Sequence, residues 1–403
     1  MKNVNRTVRR QLLRIGAMAM GGGLLGRRVS AAGTPGKLGI PPGPYGERSP
    51  YEQAVRWTRQ SRTPETGSSF TPLADSVGAL TPSSLHYERH HSGIPATDPA
   101  SHRLVIHGMV DRPLSLSVPD IRRLPAISRV MVLECGGNSG SEWAAATGPD
   151  AQRSFGLASC SEWTGVSLAM LLREVGVRPG ASWVIAEGAD ACRMMRSVPL
   201  AKAMDDALIA YGQNGEALRP AQGYPIRLLL PGWEGNPSVK WLRSLKLTDQ
   251  PYMARDETSK YSDLMPDGKT RIFTFRMEAK SIITFPSGGQ TLPGSGLYDL
   301  TGLAWSGSGR IERVEVTIDG GKTWVGAMLQ EPRLPIAFTR FRLPWRFDGR
   351  ETVIASRATD ETGYVQPSRE ELIAVRGTSS GYHFNGMKFW KVHADGTVTN
   401  VEV

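Results

Sequence analysis

Cysteine is scarce in this chain: Cys135, Cys160 and Cys192 are the only three in 403 residues. No two are spaced C-x-x-C, no C-x-x-C-H offers covalent haem attachment, and no Cys/His cluster has zinc-ligand spacing. A disulfide framework, a haem carrier and a zinc fold are therefore excluded, and an odd count leaves at least one thiol unpaired. Long apolar runs are missing too. No segment reaches the ~18 apolar residues of a spanning helix, so no membrane span is expected. Positive charge is thinner than the formal +10 suggests. Residues 1–32 hold Lys2, Arg6, Arg9, Arg10, Arg14, Arg27 and Arg28 with no acid, leaving +3 for the rest. A nucleic-acid partner loses its main support. Charged residues at 21% and hydrophobic residues at 40% suit a soluble globular chain, long enough for two or three domains.

What is present begins at the N-terminus. Arg9-Arg10, then Leu12-Leu13, a mild Gly-rich apolar stretch from Ile15 to Gly26 and a small-residue Val-Ser-Ala-Ala run resemble a twin-arginine export signal over residues 1–32. The apolar stretch is too short to cross roughly 30 Å of hydrocarbon. The expectation is a periplasmic protein, exported folded by the twin-arginine route, whose mature chain starts near Ala31 to Gly33. That route suits proteins that capture a cofactor before export. An oxidising compartment makes an unpaired thiol need a reason, and a metal on the sulfur is one.

Residues 33–83 read as an extended arm, from the Pro/Gly-rich GTPGKLGIPPGPYGERSP onward. The first folded domain is expected over 84–267. Arg103 to Val110 and Tyr224 to Pro231 read as strands. SLAMLLREVGV reads as a helix with Ser167 as cap, Leu168, Leu171, Leu172 and Val175 as its buried face and Gly176 as its stop. SVPLAKAMDDALIAYG reads as a second helix capped by Ser197, with Pro199 in its first turn. Irregular connections without βα alternation point to an α+β domain. Beyond it, RVEVTIDGGKTWVGAML alternates Val314, Val316 and Ile318 against Arg313, Glu315 and Thr317 and turns at Asp319-Gly320-Gly321. Residues 276–378 are expected to form an immunoglobulin-like β-sandwich, followed by a tail over 379–403.

Cys135 stands apart from the other two cysteines, which read as small buried hydrophobes. In VMVLECGGNSGSEW, an apolar strand delivers it into a Gly-Gly-Asn turn, where glycines let backbone approach a bulky ligand. No Cys-His hydrolase signature surrounds it, whereas a soft thiolate suits a transition metal.

Five segments in order over residues 81–378 resemble the molybdopterin-dependent sulfite oxidase family. The first is Tyr87-x-Arg89-x-His91-x-x-x-Pro95. Cys135-Gly136-Gly137-Asn138 is the second, GLASCSEWTGVSLAMLL the third, and LIAYGQNGEALRPAQGYPIRLLLPGWEGNPSVKWLRSLKL the fourth; LIAVRGTSSG closes the series. The resemblance implies an α+β molybdopterin-binding domain followed by a dimerising β-sandwich, with a molybdenum cofactor and no haem. It implies Cys135 as the metal ligand, Arg89, Tyr261 and Arg376 at the substrate, and Arg227 and Lys240 at the pterin phosphate. Tyr87, Arg89, His91, Asp190, Gln222 and Ser238 complete the implied cofactor contacts.

Two features depart from the family. Ser139 and Gly140 stand where sulfite oxidases carry arginines, and Gln222 and Ser238 stand where animal members have histidines. A less cationic, roomier pocket is expected, which is similar to the SoxC-type sulfur dehydrogenase branch. This implies oxidation of sulfane sulfur on a carrier protein, with electrons passed to a c-type cytochrome. A homodimer through the sandwich or a hetero-oligomer with the cytochrome is implied as well. The alternatives are oxidation of a small sulfur anion, free sulfite, by the same fold; an exported reductase of methionine-sulfoxide type; and a metal-free secreted binding protein.

Overall fold

The computed structural model describes residues 41–61 and 63–403. The expected export signal and the first part of the expected arm lie outside the described residues. Residues 41–52 fall in one unit and Gln53–Val403 form the other.

The folded unit starts well before Ser84. Trp57–Gln60, Gly67–Phe70 and Glu88–His90 form an antiparallel sheet in that order. The middle strand reads Gly-Ser-Ser-Phe, with no β-branched residue to announce it. Phe70 is buried and its ring lies 4.9 Å from that of Trp57, so cross-strand packing makes this strand where local propensity does not.

Two five-stranded sheets follow. In one, Ala126–Glu134, Ala158–Ser167, Leu208–Gln213 and Glu216–Ala217 are neighbours in that order, with Arg227–Leu229 also paired to Leu208–Gln213. The other runs Leu114–Ser117, Arg103–Gly108, Leu242–Thr248, Trp183–Gly188, Met195–Pro199. Only Arg103–Gly108 with Leu242–Thr248 pairs parallel among the described strands, so the sheet is not doubly wound and the class is α+β. Helix Leu168–Val175 buries the expected face and ends at Gly176, whose φ of 67° is one glycine adopts freely. Burying each leucine of that face is worth roughly 1.5–3 kcal/mol.

The expected second helix is overturned over most of its length. Met195–Pro199 is a strand against Trp183–Gly188, only Leu200–Asp205 is helical, and Leu208–Gln213 is a strand against Ala158–Ser167. Ser197 caps nothing; its N–H and hydroxyl both donate to buried Glu257. The apolar spacing here served two sheets as well as one helix.

The C-terminal part is a β-sandwich. Lys280–Phe285, Gly296–Trp305, Thr339–Phe347 and Met328–Leu329 form one sheet. Val325–Gly326, Ile311–Thr317, Thr352–Asp360, Phe389–Val392 and Val398–Val401 form the other. Trp305, Phe341, Ile354 and Trp390 lie in the core. The expected 276–378 boundary is thus too short, because the tail supplies two strands of the second sheet. Val398 and Val401 reach that sheet through Phe389–Val392, with which they form a hairpin turning at Asp395-Gly396.

Candidate active site

Strand Ala126–Glu134 ends at the cysteine loop. Glu134, the last strand residue, is fixed from three sides: Lys280 Nζ at 2.7 Å, Trp305 Nε1 at 2.7 Å and Asn138 Nδ2 at 2.8 Å. Lys280 and Trp305 belong to the sandwich, so the loop is anchored by the second half of the fold. Asn138 also accepts from Leu157 N, and its own N–H donates to Cys135 O at 2.8 Å, which closes the turn around the thiol. Gly136 is required by close approach: a Cβ there would sit 2.5 Å from Glu234 Oε2. His383 N donates to Gly136 O at 2.7 Å, and His383 Nδ1 lies 2.5 Å from Glu234 Oε1. Burial pushes the Glu234 carboxyl up, with His383 opposing the shift.

Cys135 is buried at the wall of a cleft. Tyr87, Arg89, His91, Asp190, Gln222, Arg227, Ser238, Lys240 and Tyr261, scattered over 175 residues of sequence, line the same cleft. Burial pushes the Cys135 thiol up, against the Gly137 N–H and Arg89, so without a metal the sulfur keeps its proton. Tyr261 is buried with its phenol pushed up by desolvation first and Cys135 second, and its ring lies 4.9 Å from that of Tyr382.

The cleft also gathers cations that lack counter-ions. Arg227 is 2% exposed and donates only to uncharged oxygens: Gln222 O at 3.1 Å, Gln222 Oε1 at 3.4 Å and Ser238 O at 3.0 Å. Among the described residues its Nε has no partner. Desolvation lowers it to about 10. Lys240 Nζ contacts Arg89 O, Ala221 O and His90 Nδ1, each at 3.1 Å, and desolvation followed by repulsion from Arg227 lowers it to about 7. Among the described residues no carboxylate pairs with Arg89, Arg227 or Lys240. Burial and then Arg89 lower His91 to about 4, so it is neutral at pH 7. Such desolvated cations are costly unless an anion joins them.

Residues 91–255 match the family model for the oxidoreductase molybdopterin binding domain, and residues 271–388 match that for the Mo-co oxidoreductase dimerisation domain. Sulfite oxidase of Gallus gallus is 32% identical over 331 residues, covering 75% of this chain and 72% of that protein. The chain belongs to the sulfite oxidase family. The crystal structure of the sulfane dehydrogenase SoxCD from Paracoccus pantotrophus superposes with a TM-score of 0.85 at 44% identity, covering 89% of this chain and 96% of that one. An NADH nitrate reductase of Ulva prolifera is 33% identical over 63% of this chain, which spans 33% of that longer relative.

The family's molybdenum cofactor fits the residues present. One soft sulfur stands at the wall, the buried cations carry no carboxylate, and the orphaned Arg227 Nε awaits an acceptor. Cys135 could take the metal, while Arg227 and Lys240 could take a phosphate. Gln222, through its backbone carbonyl and its side-chain Oε1, and Ser238, through its backbone carbonyl, aim the Arg227 guanidinium. Asn236 and His90, absent from the expected set, also line the cleft; both sit inside the quoted segments, next to expected residues.

Three expectations are corrected. Arg376 is not in this cleft. It ends helix Arg369–Arg376, is 3% exposed, and faces Asp263 at 3.5 Å and Glu278 at 3.9 Å in a second cavity that shares only Cys135 with the first. Ser139 and Gly140 do not widen the cleft either. A Cβ on Gly140 would stand 2.2 Å from Gly381 O, and buried Ser139 adopts a φ of 61°. Cys192 is not a core residue: it is half-buried and its thiol donates to Asp190 Oδ2 at 2.8 Å.

Proposed function

We propose that this chain is a molybdenum-dependent dehydrogenase of sulfur compounds, acting on sulfane sulfur held by a carrier protein and passing electrons to a c-type cytochrome. The observation that carries the reading is the cleft itself. It places one protected thiol beside buried cations that lack counter-ions, in a chain 44% identical to a protein described as a sulfane dehydrogenase.

The bound cofactor supplies two-electron redox and oxygen-atom-transfer chemistry; the protein supplies position and charge. Cys135 holds the metal through its thiolate. Arg227 and Lys240 hold the phosphate, with Tyr87, His91, Asp190, Gln222 and Ser238 shaping the rest of the cradle. Arg89, held by carbonyls and facing no carboxylate, presents a cation to an electron-rich sulfur-oxygen group, and Tyr261 offers a phenol that stays protonated at neutral pH. Export to the periplasm by the twin-arginine route and a dimer through the sandwich complete the reading.

Oxidation of free sulfite is the second reading, favoured by Arg89 in the cleft. The test is a steady-state comparison of free sulfite with a carrier-bound sulfane, using a c-type cytochrome as acceptor, on protein shown to hold about one molybdenum per chain. Faster turnover of the carrier-bound substrate is expected. Preference for free sulfite selects the second reading, and absence of molybdenum after expression with cofactor supply refutes both.

A further inference from the structure

The second cavity is lined by Cys135, Gly136 and Asn138 of the cysteine loop at one end and by the 35% exposed Glu278 at the other, and shares no residue but Cys135 with the cofactor cleft. The charged groups facing it are Glu134, Glu234, Arg276, Glu278, Lys280, Arg376 and His383, with Asp263 behind. Glu134 and Lys280 hold each other at 2.7 Å and are fixed. The others form a line. Glu234 accepts from Asn236 Nδ2 at 2.9 Å and orients His383 through Nδ1. His383 Nε2 points to Asp263 Oδ2 at 3.5 Å, and Arg376 Nη1 reaches the same oxygen at 3.5 Å. Arg376 Nη2 lies 3.9 Å from Glu278 Oε2. Glu278 is 35% exposed and, with Arg376 and Tyr364, also lines an open groove.

Three atoms at the centre, His383 Nε2, Asp263 Oδ2 and Arg376 Nη1, are buried and unpartnered. They comprise one donor, Arg376 Nη1, one acceptor, Asp263 Oδ2, and an imidazole nitrogen that donates or accepts according to tautomer, separated by gaps longer than a hydrogen bond of 2.7–3.2 Å. Buried polar atoms of this kind have partners in folded proteins, and a water making about three bonds is what such a polar pocket takes.

Oxidation of sulfur with oxygen drawn from water gives the chemistry a use for this line. One S–O bond forms, both O–H bonds of a water break, two electrons pass to an acceptor of the c-type haem class, and two protons remain at a buried site. We infer that His383, Asp263 and water in the second cavity, held beside the Arg376 guanidinium, which itself carries no proton onward, form a proton exit route from the Cys135 side to Glu278 and solvent. The inference rests on the proposed sulfur oxidation. In this route Glu234 orients the imidazole, Arg376 holds the water, and Glu278 releases the proton.

The test uses the holoenzyme with sulfite as substrate and ferricyanide as acceptor. Glu278→Gln, at the partly exposed end, is expected to lower kcat about tenfold in weakly buffered solution. Its solvent deuterium isotope effect should exceed that of the unmodified enzyme, with KM and molybdenum content unchanged and the rate restored by concentrated imidazole. Unchanged kcat and isotope effect at normal molybdenum content overturn the route. A crystal structure of the cofactor-free protein gives an answer independent of turnover: an ordered water bridging His383, Asp263 and Arg376 is expected, and a dry gap overturns the route. An unmodified holoenzyme that oxidises no sulfur compound would instead sink the functional reading, leaving the water to decide whether the line is hydrated.

Discussion

Lys240→Met should do two opposite things: stabilise the cofactor-free chain at neutral pH and weaken its hold on the cofactor. Desolvation and Arg227 lower Lys240 from 10.5 to about 7. At ~1.4 kcal/mol per pKa unit that is a native-state penalty approaching 5 kcal/mol when the lysine is charged. Lys240 keeps some solvent contact, and about 2 kcal/mol is the part of this penalty expected to be relieved between pH 7 and 9. The sign follows from proton counting. Between pH 7 and 10.5 the unfolded chain holds the proton and the native chain does not, so stability rises with pH. The penalty is complete below pH 7 and gone above 10.5. Urea unfolding of the cofactor-free chain from pH 6 to 9 should therefore show stability climbing through pH 7–9 in the unmodified chain and a shallower slope in Lys240→Met. The variant should be the more stable protein at pH 6. Arg89 O, Ala221 O and His90 Nδ1 each lose the Lys240 contact in the variant. Purified after expression with cofactor supply, the variant should contain less molybdenum, since a charge-assisted hydrogen bond to an anion is worth roughly 1.5–3 kcal/mol. Parallel pH profiles for the two proteins would refute the argument that Lys240 is a cation waiting for a phosphate.

Cys135→Ser should abolish turnover, because a hard alkoxide poorly replaces a soft thiolate, while pterin remains detectable in the protein through the phosphate contacts; near-normal activity would remove Cys135 from the metal. Arg376→Met should cost about 3 kcal/mol by leaving buried Asp263 with Ser380 and His383 but without its guanidinium partner, yet leave the KM for sulfite unchanged in the protein that folds. A raised KM with unchanged unfolding would restore Arg376 to the substrate. Gly140→Ala should destabilise by roughly 1–3 kcal/mol through the Gly381 carbonyl, read as a lowered unfolding midpoint, with no selective gain for sulfite. Tighter sulfite binding at full stability would show that the position faces the substrate after all.

Much of the chemistry was legible because it is carried by short local patterns. An apolar strand running into Cys-Gly-Gly-Asn announces both its own geometry and a thiol at a strand end, and Val314, Val316 and Ile318 before Asp319-Gly320-Gly321 announce an antiparallel sandwich strand. These depend on the period-two alternation of a half-buried strand and on turn residues, which neighbours do not have to supply. The grouping of Tyr87, Arg89, Cys135, Arg227 and Lys240 followed from ordered segments, and that of Tyr261 from its place beyond Lys240; that they share one cleft is a property of the folded chain.

Tertiary structure decided wherever a residue's partner is remote in sequence. Ser197 looked like a helix cap until strand Trp183–Gly188 and Glu257 claimed its segment. The tail became sheet because Thr352–Asp360 offered it an edge. Gly140 read as a missing arginine, and only Gly381 O at 2.2 Å shows a backbone contact that no side chain could occupy. Arg376 matched a substrate position in order along the chain, but the cap at Ser368 and the pull of Asp263 turn its guanidinium into the second cavity. Glu134 lies beside Cys135 in sequence, and nothing in that sequence says that Lys280 and Trp305 of the sandwich hold it. Local pattern sets what a segment can be; long-range burial and pairing choose among the states it permits.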